Sequence, residues 1–185
     1  EFETSVIPTT TASVTRSAET ANDSSDASTF NDSEGVLMAE ISALANDGTN
    51  RRIAITDVAI TDFVYIYFSS TNTLSVRLQA GGSQQFVYNH TIDITQNNKV
   101  AFKWKLNDVS MYVNGVEVAQ SNSSNVPSLN SLTSINFDAY GGGNFYGNTK
   151  QLQYFDSALN DSELETLTSW VSFSDMANGQ TYSIK

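Results

Sequence analysis

The chain lacks cysteine altogether, and it has one histidine and two prolines among 185 residues. Without thiols it has no disulfides, no thiolate-bound metal and no cysteine nucleophile. The single histidine, His90, excludes a metal site built on two histidines. Basic residues are also scarce: nine lysines and arginines stand against twenty acidic residues, so the net charge is −11. Such a charge disfavours binding to nucleic acid, whose phosphates it repels.

Long apolar runs are missing as well. No stretch of about 18 apolar residues occurs, so membrane insertion is not expected. What the chain has instead is 39% hydrophobic residues and 11% aromatic residues, which is enough for a packed core. Ten phenylalanines and eight tyrosines favour β-sheet over helix.

Short alternating apolar segments recur along the chain, separated by turns rich in Asn, Asp, Gly and Ser. Their spacing of roughly 8–12 residues is typical of a β-sandwich or barrel. The segments are 35–44, 51–56, 62–68, 73–80, 84–94, 99–106, 109–119, 134–140 and 149–155. They predict nine or ten strands and an all-β fold of two antiparallel sheets.

One segment near the C-terminus has a helical pattern. In NDSELETLTSW, Asn160 is a good N-cap and Glu163 is its capping-box partner, while Leu164 and Leu167 share one face. The sequence therefore predicts one short helix after the last strand. Residues 1–33, rich in Thr, Ser, Ala and Asp, are expected to be an extended lead-in or linker, and residues 34–185 the domain itself.

Residues 98–120, NKVAFKWKLNDVSMYVNGVEVAQ, form the clearest alternating pair of strands. Val100, Phe102, Trp104 and Leu106 are expected to face the core, with turns at residues 107–108 and 114–115. Lys103 and Lys105 would then project from the opposite face, with Tyr112 nearby.

Two motifs carry a resemblance to a known family. Lys99–Trp104 followed by Val109–Ala119 resembles the strand pair "HVAATYDG…LRLYVDGVLVA" of laminin-G-like, concanavalin A-like jelly-roll domains. Residues 144–167 resemble the C-terminal strand and helix of that family. The matching positions there are Phe145, Gly147, Leu152, Phe155, Ala158, Leu159, Asp161 and Glu163. The resemblance implies a jelly roll; Lys150-Gln151 replaces an acidic pair frequent in the family, so no ligand role of that pair carries over.

The lead-in TSVIPTTTASVTRSAE, residues 4–19, resembles the joint that precedes such domains in tailed-phage tail and capsid-associated proteins. The two resemblances together imply a virion-surface or extracellular module that recognises a host-surface glycan beside other virion proteins. The alternative is a purely structural decoration or fibre domain that packs against copies of itself or the virion.

Catalytic motifs are missing. The sequence has no G-x-S-x-G elbow, no phosphate-binding glycine motif and no E-x-D-x-x-E strand of the kind found in glycosidases with this sandwich fold. We therefore expect no enzyme activity and no cofactor, with a glycosidase as the remaining alternative. The acidic cluster Asp23, Asp26, Asp32 and Glu34 is the one candidate for calcium, and a solvated acidic loop is its simpler interpretation.

The candidate ligand-binding residues come from the outward faces of strands and from one loop. If Val64, Ile66 and Phe68 face the core, three aromatic rings in alternate positions face outward, where they could stack on sugars or form a subunit interface. Reversed parity, or burial of both faces, is the other interpretation. The full set of candidates is Phe63, Tyr65, Tyr67, Arg77, Lys103, Lys105, Tyr112, Tyr140 and Tyr146.

Overall fold

The computed structural model describes residues 24–138 and 142–180. It contains two five-stranded antiparallel sheets, which confirms the predicted two-sheet sandwich. The strands are β1 Glu34–Ala43, β2 Arg51–Thr56, β3 Phe63–Ser70, β4 Thr73–Ala80, β5 Ser83–Thr91, β6 Asn98–Lys105, β7 Val109–Val113, β8 Val116–Ser121, β9 Ser134–Asn136 and β10 Gly147–Phe155. Two helices follow, α1 Asp161–Thr168 and α2 Phe173–Gln180.

Each sheet combines local hairpins with strands distant in sequence, namely β1 and β10 in the first sheet and β9 in the second. The first sheet has the order β10-β1-β6-β7-β8, and the second has the order β5-β4-β3-β2-β9. Consecutive strands β2 to β5 and β6 to β8 pair as meanders, with a longer loop of residues 57–62 between β2 and β3 and short turns elsewhere. β1 lies between β6 and β10, so strands far apart in sequence close the first sheet.

The core lies between the sheets and follows the predicted alternation. Val100, Phe102 and Trp104 are fully buried in it, opposite strands of the second sheet. Leu106 is an exception, and its predicted core position was wrong: its side chain is 56% exposed. β6 ends at Lys105, and Asn107 takes a positive φ of 58°, so Leu106 already belongs to the turn.

Helix α1 covers the outer face of the first sheet. Leu164 packs there in a small apolar cluster with Val36, Met38, Ala101 and Tyr112. The predicted capping box is present, with the backbone N–H of Glu163 donating to the side chain of Asn160. The second sheet has no helix of the described chain packed on its outer face.

Helix α2 was not predicted, because FSDMANGQ has no clear apolar periodicity. Its start nevertheless has a local signal, since the backbone N–H of Asp175 donates to the hydroxyl of Ser172 at 3.0 Å. Among the residues that the structure describes, neither helix has the length and apolar character required to cross a membrane.

Part of the predicted lead-in packs on the sandwich. Ser24 pairs with Ile135 of β9, and Phe30, 6% exposed, joins the main core. Asp32 is equally buried and accepts hydrogen bonds from the loop before β9. The boundary between residues 33 and 34 stays a prediction, but residues 24–33 contribute directly to the packing of the domain.

Candidate functional site

The outer face of the second sheet carries an open cleft of about 510 Å³, hereafter the aromatic cleft. Strands β2, β3 and β4 build most of it, and the loop before β3 closes one side. The lining residues are Asn50, Arg52, Ile60, Phe63, Tyr65, Tyr67, Ser69, Arg77 and Gln79. Four of the nine residues expected to bind ligand therefore lie in one place: Phe63, Tyr65, Tyr67 and Arg77.

The strand parity that points these side chains outward is as predicted. Val64, Ile66 and Phe68 belong to the main core, whereas Phe63, Tyr65 and Tyr67 form a separate cluster. Strand pairing then sets the neighbours of the rings, with Arg77 of β4 directly opposite Tyr65 and Arg52 of β2 directly opposite Tyr67. Tyr65 and Tyr67, on the same face of β3, therefore each have one arginine beside them, the first from β4 and the second from β2.

The floor of the cleft is a stacked aromatic pair. The rings of Phe63 and Tyr65 lie 3.9 Å apart between centroids with an interplanar angle of 12°. The guanidinium of Arg77 lies 5.2 Å from the Phe63 centroid, and that of Arg52 lies 5.9 Å from the Tyr65 centroid. Phe63 and Tyr65 are only 3% and 5% exposed, whereas Tyr67 is half-buried. Of the three rings, Tyr67 is the most accessible to a ligand.

Hydrogen bonds connect the polar groups of the cleft, but one buried donor has no partner among the described residues. Arg77 donates from Nη2 to Oε1 of Gln79 at 3.0 Å, and Gln79 donates from Nε2 to the backbone carbonyl of Ile60 at 3.1 Å. Among the described residues, the buried Nε of Arg77 has no hydrogen-bond partner. Burial raises the pKa of Tyr65 to about 12, against the opposing effect of the Arg52 and Arg77 charges. Its hydroxyl therefore stays protonated at neutral pH and is able to donate a hydrogen bond.

The structure does not bring Lys103 and Tyr112, two of the nine candidate residues, into this cleft. Both lie on the first sheet beneath α1 and are buried. The Nζ of Lys103 lies 2.7 Å from Asp108 and 3.8 Å from Asp161. The hydroxyl of Tyr112 donates to Glu117 at 2.7 Å, and burial together with this bond raises the pKa of Tyr112. These groups hold the helix and the hairpin in place and are closed to a glycan.

Lys105 and Tyr146 also lie outside the aromatic cleft. Lys105 is half-exposed on the first sheet and pairs with Glu34 at 3.0 Å, which lowers the pKa of Glu34. Tyr146, 55% exposed, lies just before β10 and outside the aromatic cleft. Tyr140 lies outside the described residues.

The acidic residues proposed for calcium do not converge on one point. Asp26 accepts hydrogen bonds from its neighbour Ser28, Asp32 accepts from residues 130–132, and Glu34 binds Lys105. Asp23 lies outside the described residues. Within the ranges 24–138 and 142–180, no group of three or more histidine or acidic side chains is arranged to hold a metal ion. Calcium binding stays an untested prediction.

Sequence reasoning missed five residues of the cleft: Asn50, Arg52, Ile60, Ser69 and Gln79. A signal existed for three of them, since Ser69 continues the outward alternation of Phe63, Tyr65 and Tyr67 along β3. In RRIAIT, inward-facing Ile53 and Ile55 place Arg52 outward by parity, and Gln79 shares a face with Arg77 two residues away. Asn50 and Ile60 lie in loops, whose placement needs the three-dimensional structure.

Residues 13–165 match a family profile described as the concanavalin A-like lectin/glucanases superfamily. The chain belongs to this superfamily. No curated protein sequence matches this chain.

Several solved structures share the fold of this lectin/glucanase-superfamily chain. One is the CBM40 module of the Ruminococcus gnavus IT-sialidase bound to α2,3-sialyllactose; its TM-score is 0.63 at 12% identity, over 82% of this chain and 97% of that one. The leech intramolecular trans-sialidase has a TM-score of 0.60 at 13% identity, over 77% of this chain and 24% of that one. A heptameric SAP-like pentraxin from Limulus polyphemus has a TM-score of 0.57 at 19% identity, over 76% and 71%. At these identities the likeness is one of fold.

Proposed function

We propose that the chain is a non-catalytic glycan-binding module of a phage virion structural protein, exposed at the virion surface or otherwise extracellular. The observation that carries the proposal is the aromatic cleft itself. It combines a ring available for stacking, Tyr67, with polar donors on a rigid sheet that no described helix covers. Apolar walls with a few well-placed polar groups are typical of small-ligand sites.

The comparisons support glycan binding as the class of function. The family description names lectins, and the R. gnavus CBM40 module has been solved with sialyllactose. The lining residues of the aromatic cleft include no carboxylate, which favours binding over hydrolysis by the usual carboxylate pair. The proposal of a virion location rests on the resemblance of residues 4–19 to the joints of phage structural proteins. The partners of the module would be a host-surface glycan and other virion proteins.

Binding to a defined glycan panel tests the proposal. The panel contains α2,3-sialyllactose, lactose and neutral host polysaccharides, with affinities measured by calorimetry. We expect at least one member to bind and Tyr67→Ala to weaken that binding about fivefold or more, because the stacked ring is worth about 1–3 kcal/mol by analogy with other stacking platforms. Tyr88→Ala is the matched control, since Tyr88 is partly exposed on β5 and does not line the cleft.

Two results would contradict the proposal. Absence of binding to every glycan, with a stable oligomer in sedimentation experiments that buries Tyr67, would favour the structural role in a fibre or decoration. Release of sugar from a panel member would show a glycosidase instead.

A further inference from the structure

We propose, resting on the proposed function, that the aromatic cleft recognises an acidic glycan through a carboxylate bound between Arg52 and Arg77. A neutral part of the same sugar would lie against Tyr67. The inference follows from the charges that the fold leaves unpaired, from the position of the two guanidiniums and from the donors they still have free.

The pairing of basic side chains elsewhere in the molecule is the first observation. Four of them contact carboxylates: Arg51 with Asp47, Lys103 with Asp108, Lys105 with Glu34 and Lys150 with Glu40, at 2.7–3.3 Å. Arg52 and Arg77 make no ion pair with any residue in the described part of the chain, although acidic side chains outnumber basic ones about twofold. Acidic side chains are in excess, yet these two arginines remain without an ion pair in the described ranges. Because both lie in one cleft, an anionic ligand can bind there.

The position of the two arginines is the second observation. They lie on strands on either side of β3 and are offset by two residues along the strand direction, so their backbones are about 12 Å apart by the usual strand dimensions. Each side chain is directed over the aromatic floor, Arg77 over Phe63 and Arg52 over Tyr65. Because an arginine side chain is long enough to span half that separation, both can contact one anion above the floor. The rings below restrict their conformations and so reduce the entropy lost on binding.

The free donors are the third observation. Within the described residues, Arg77 uses one Nη2 hydrogen for Gln79 and its Nε has no partner, but Nε is buried, so a ligand in the cleft would meet the terminal Nη groups. A planar guanidinium binds a carboxylate through two parallel N–H bonds, and such charge-assisted bonds are about twice as strong as neutral ones. The protonated hydroxyl of Tyr65 is a further donor at the same floor. The donor set thus matches a planar carboxylate better than a sugar hydroxyl.

Calorimetry with one matched pair of ligands tests the inference. The acidic member is the sialylated trisaccharide of the panel above, and its partner is the methyl ester of the same trisaccharide, which lacks the charge and carries one added methyl group. We expect the acid to bind at least tenfold more tightly than the ester, and this ratio to fall towards one in Arg77→Gln and Arg52→Gln. Arg77→Lys keeps the charge but loses the paired donors, so its ratio is expected to lie between those of the wild type and Arg77→Gln.

Lys105→Gln is the control variant, because it removes a half-exposed cation from the opposite sheet, and it is expected to leave the ratio unchanged. Each variant is first compared with the wild type by urea unfolding, so that loss of binding is measured only on folded protein. A sulfated lactose serves as a second arm: binding as tight as that of the acid would overturn the assignment to a carboxylate.

The outcomes separate this inference from the proposed function. Equal affinity for acid and ester, with binding still sensitive to Tyr67→Ala, would overturn the carboxylate inference and leave glycan binding intact. Binding of no glycan at all would overturn both. An acid preference that survives both arginine substitutions would place the carboxylate elsewhere and refute the inference.

Discussion

Replacing Asp32 by alanine is expected to destabilise the domain more than any other change in the acidic lead-in. The buried carboxylate accepts backbone N–H bonds from Asn130 at 2.6 Å, Ser131 at 3.2 Å and Leu132 at 2.8 Å. The three bonds join segments about 100 residues apart in the chain. Asp32→Ala therefore removes the side-chain acceptor of three consecutive backbone N–H groups in the loop before β9.

The magnitude follows from the three donors. A net loss of about 1 kcal/mol for each unpaired N–H gives about 3 kcal/mol, with water replacing part of the bond at the exposed Asn130 and none at the buried Leu132. For a chain of 185 residues, unfolding entropy of roughly 0.4 kcal/mol per degree converts this loss into a fall in Tm of about 8 °C.

Urea unfolding followed by tryptophan fluorescence measures the effect, since Trp104 is buried in the core. We expect a lower midpoint with an unchanged slope, which indicates lost stability without a changed denatured state. Asp26→Ala is the matched control: its carboxylate is exposed and bonds only to nearby residues, so its midpoint should equal that of the wild type. Equal midpoints for both variants would refute the anchoring role. Stabilisation by calcium that is lost in Asp32→Ala would point to a metal site instead.

Three further predictions concern stability. Gly35→Ala is expected to cost about 1–3 kcal/mol in urea unfolding, because its Cβ would lie 2.5 Å from the buried Trp104 ring; a neutral effect would show that the ring can shift. Asn160→Ala should cost about 1 kcal/mol by removing the N-cap of α1, and Asn160→Asp should restore most of it; an unchanged midpoint in the alanine variant would refute the cap's contribution. The backbone N–H of Thr49 and the Arg51 side chain hold the pKa of Asp47 at about 2, below its usual 3.8. This depressed pKa contributes stability above pH 4 that is lost as pH falls towards 2, so Asp47→Asn should flatten acid unfolding in that window, and an unchanged pH profile would contradict it.

Much of the fold could be predicted because its signals are local. Alternation along β3 and β6 set which side chains face the core, and Asn114-Gly115 has positive φ at both residues, as a tight hairpin turn requires. The capping box at Asn160 likewise lies within four residues. By contrast, no local pattern indicates that β1 pairs with β10, because that contact depends on closing a long loop.

The candidate site was only partly predictable for the same reason. Tyr65 and Arg77 are neighbours through one hairpin, and parity alone brings them together. Lys103 and Tyr112 have the same outward parity, but they belong to the other sheet, where α1 covers them. Parity shows on which side of its own sheet a residue lies; it does not show which sheet that is or what packs over it.

Helix α1 and the aromatic cleft lie on opposite sides of the sandwich, and this has a practical consequence for orienting the molecule. Because the chain contains no native thiol, a cysteine introduced at the exposed Glu165 would be its single point of chemical attachment. A sensor chip or bead coupled there would attach every molecule through the face opposite the aromatic cleft. The arginine-flanked rings would then face the sample solution.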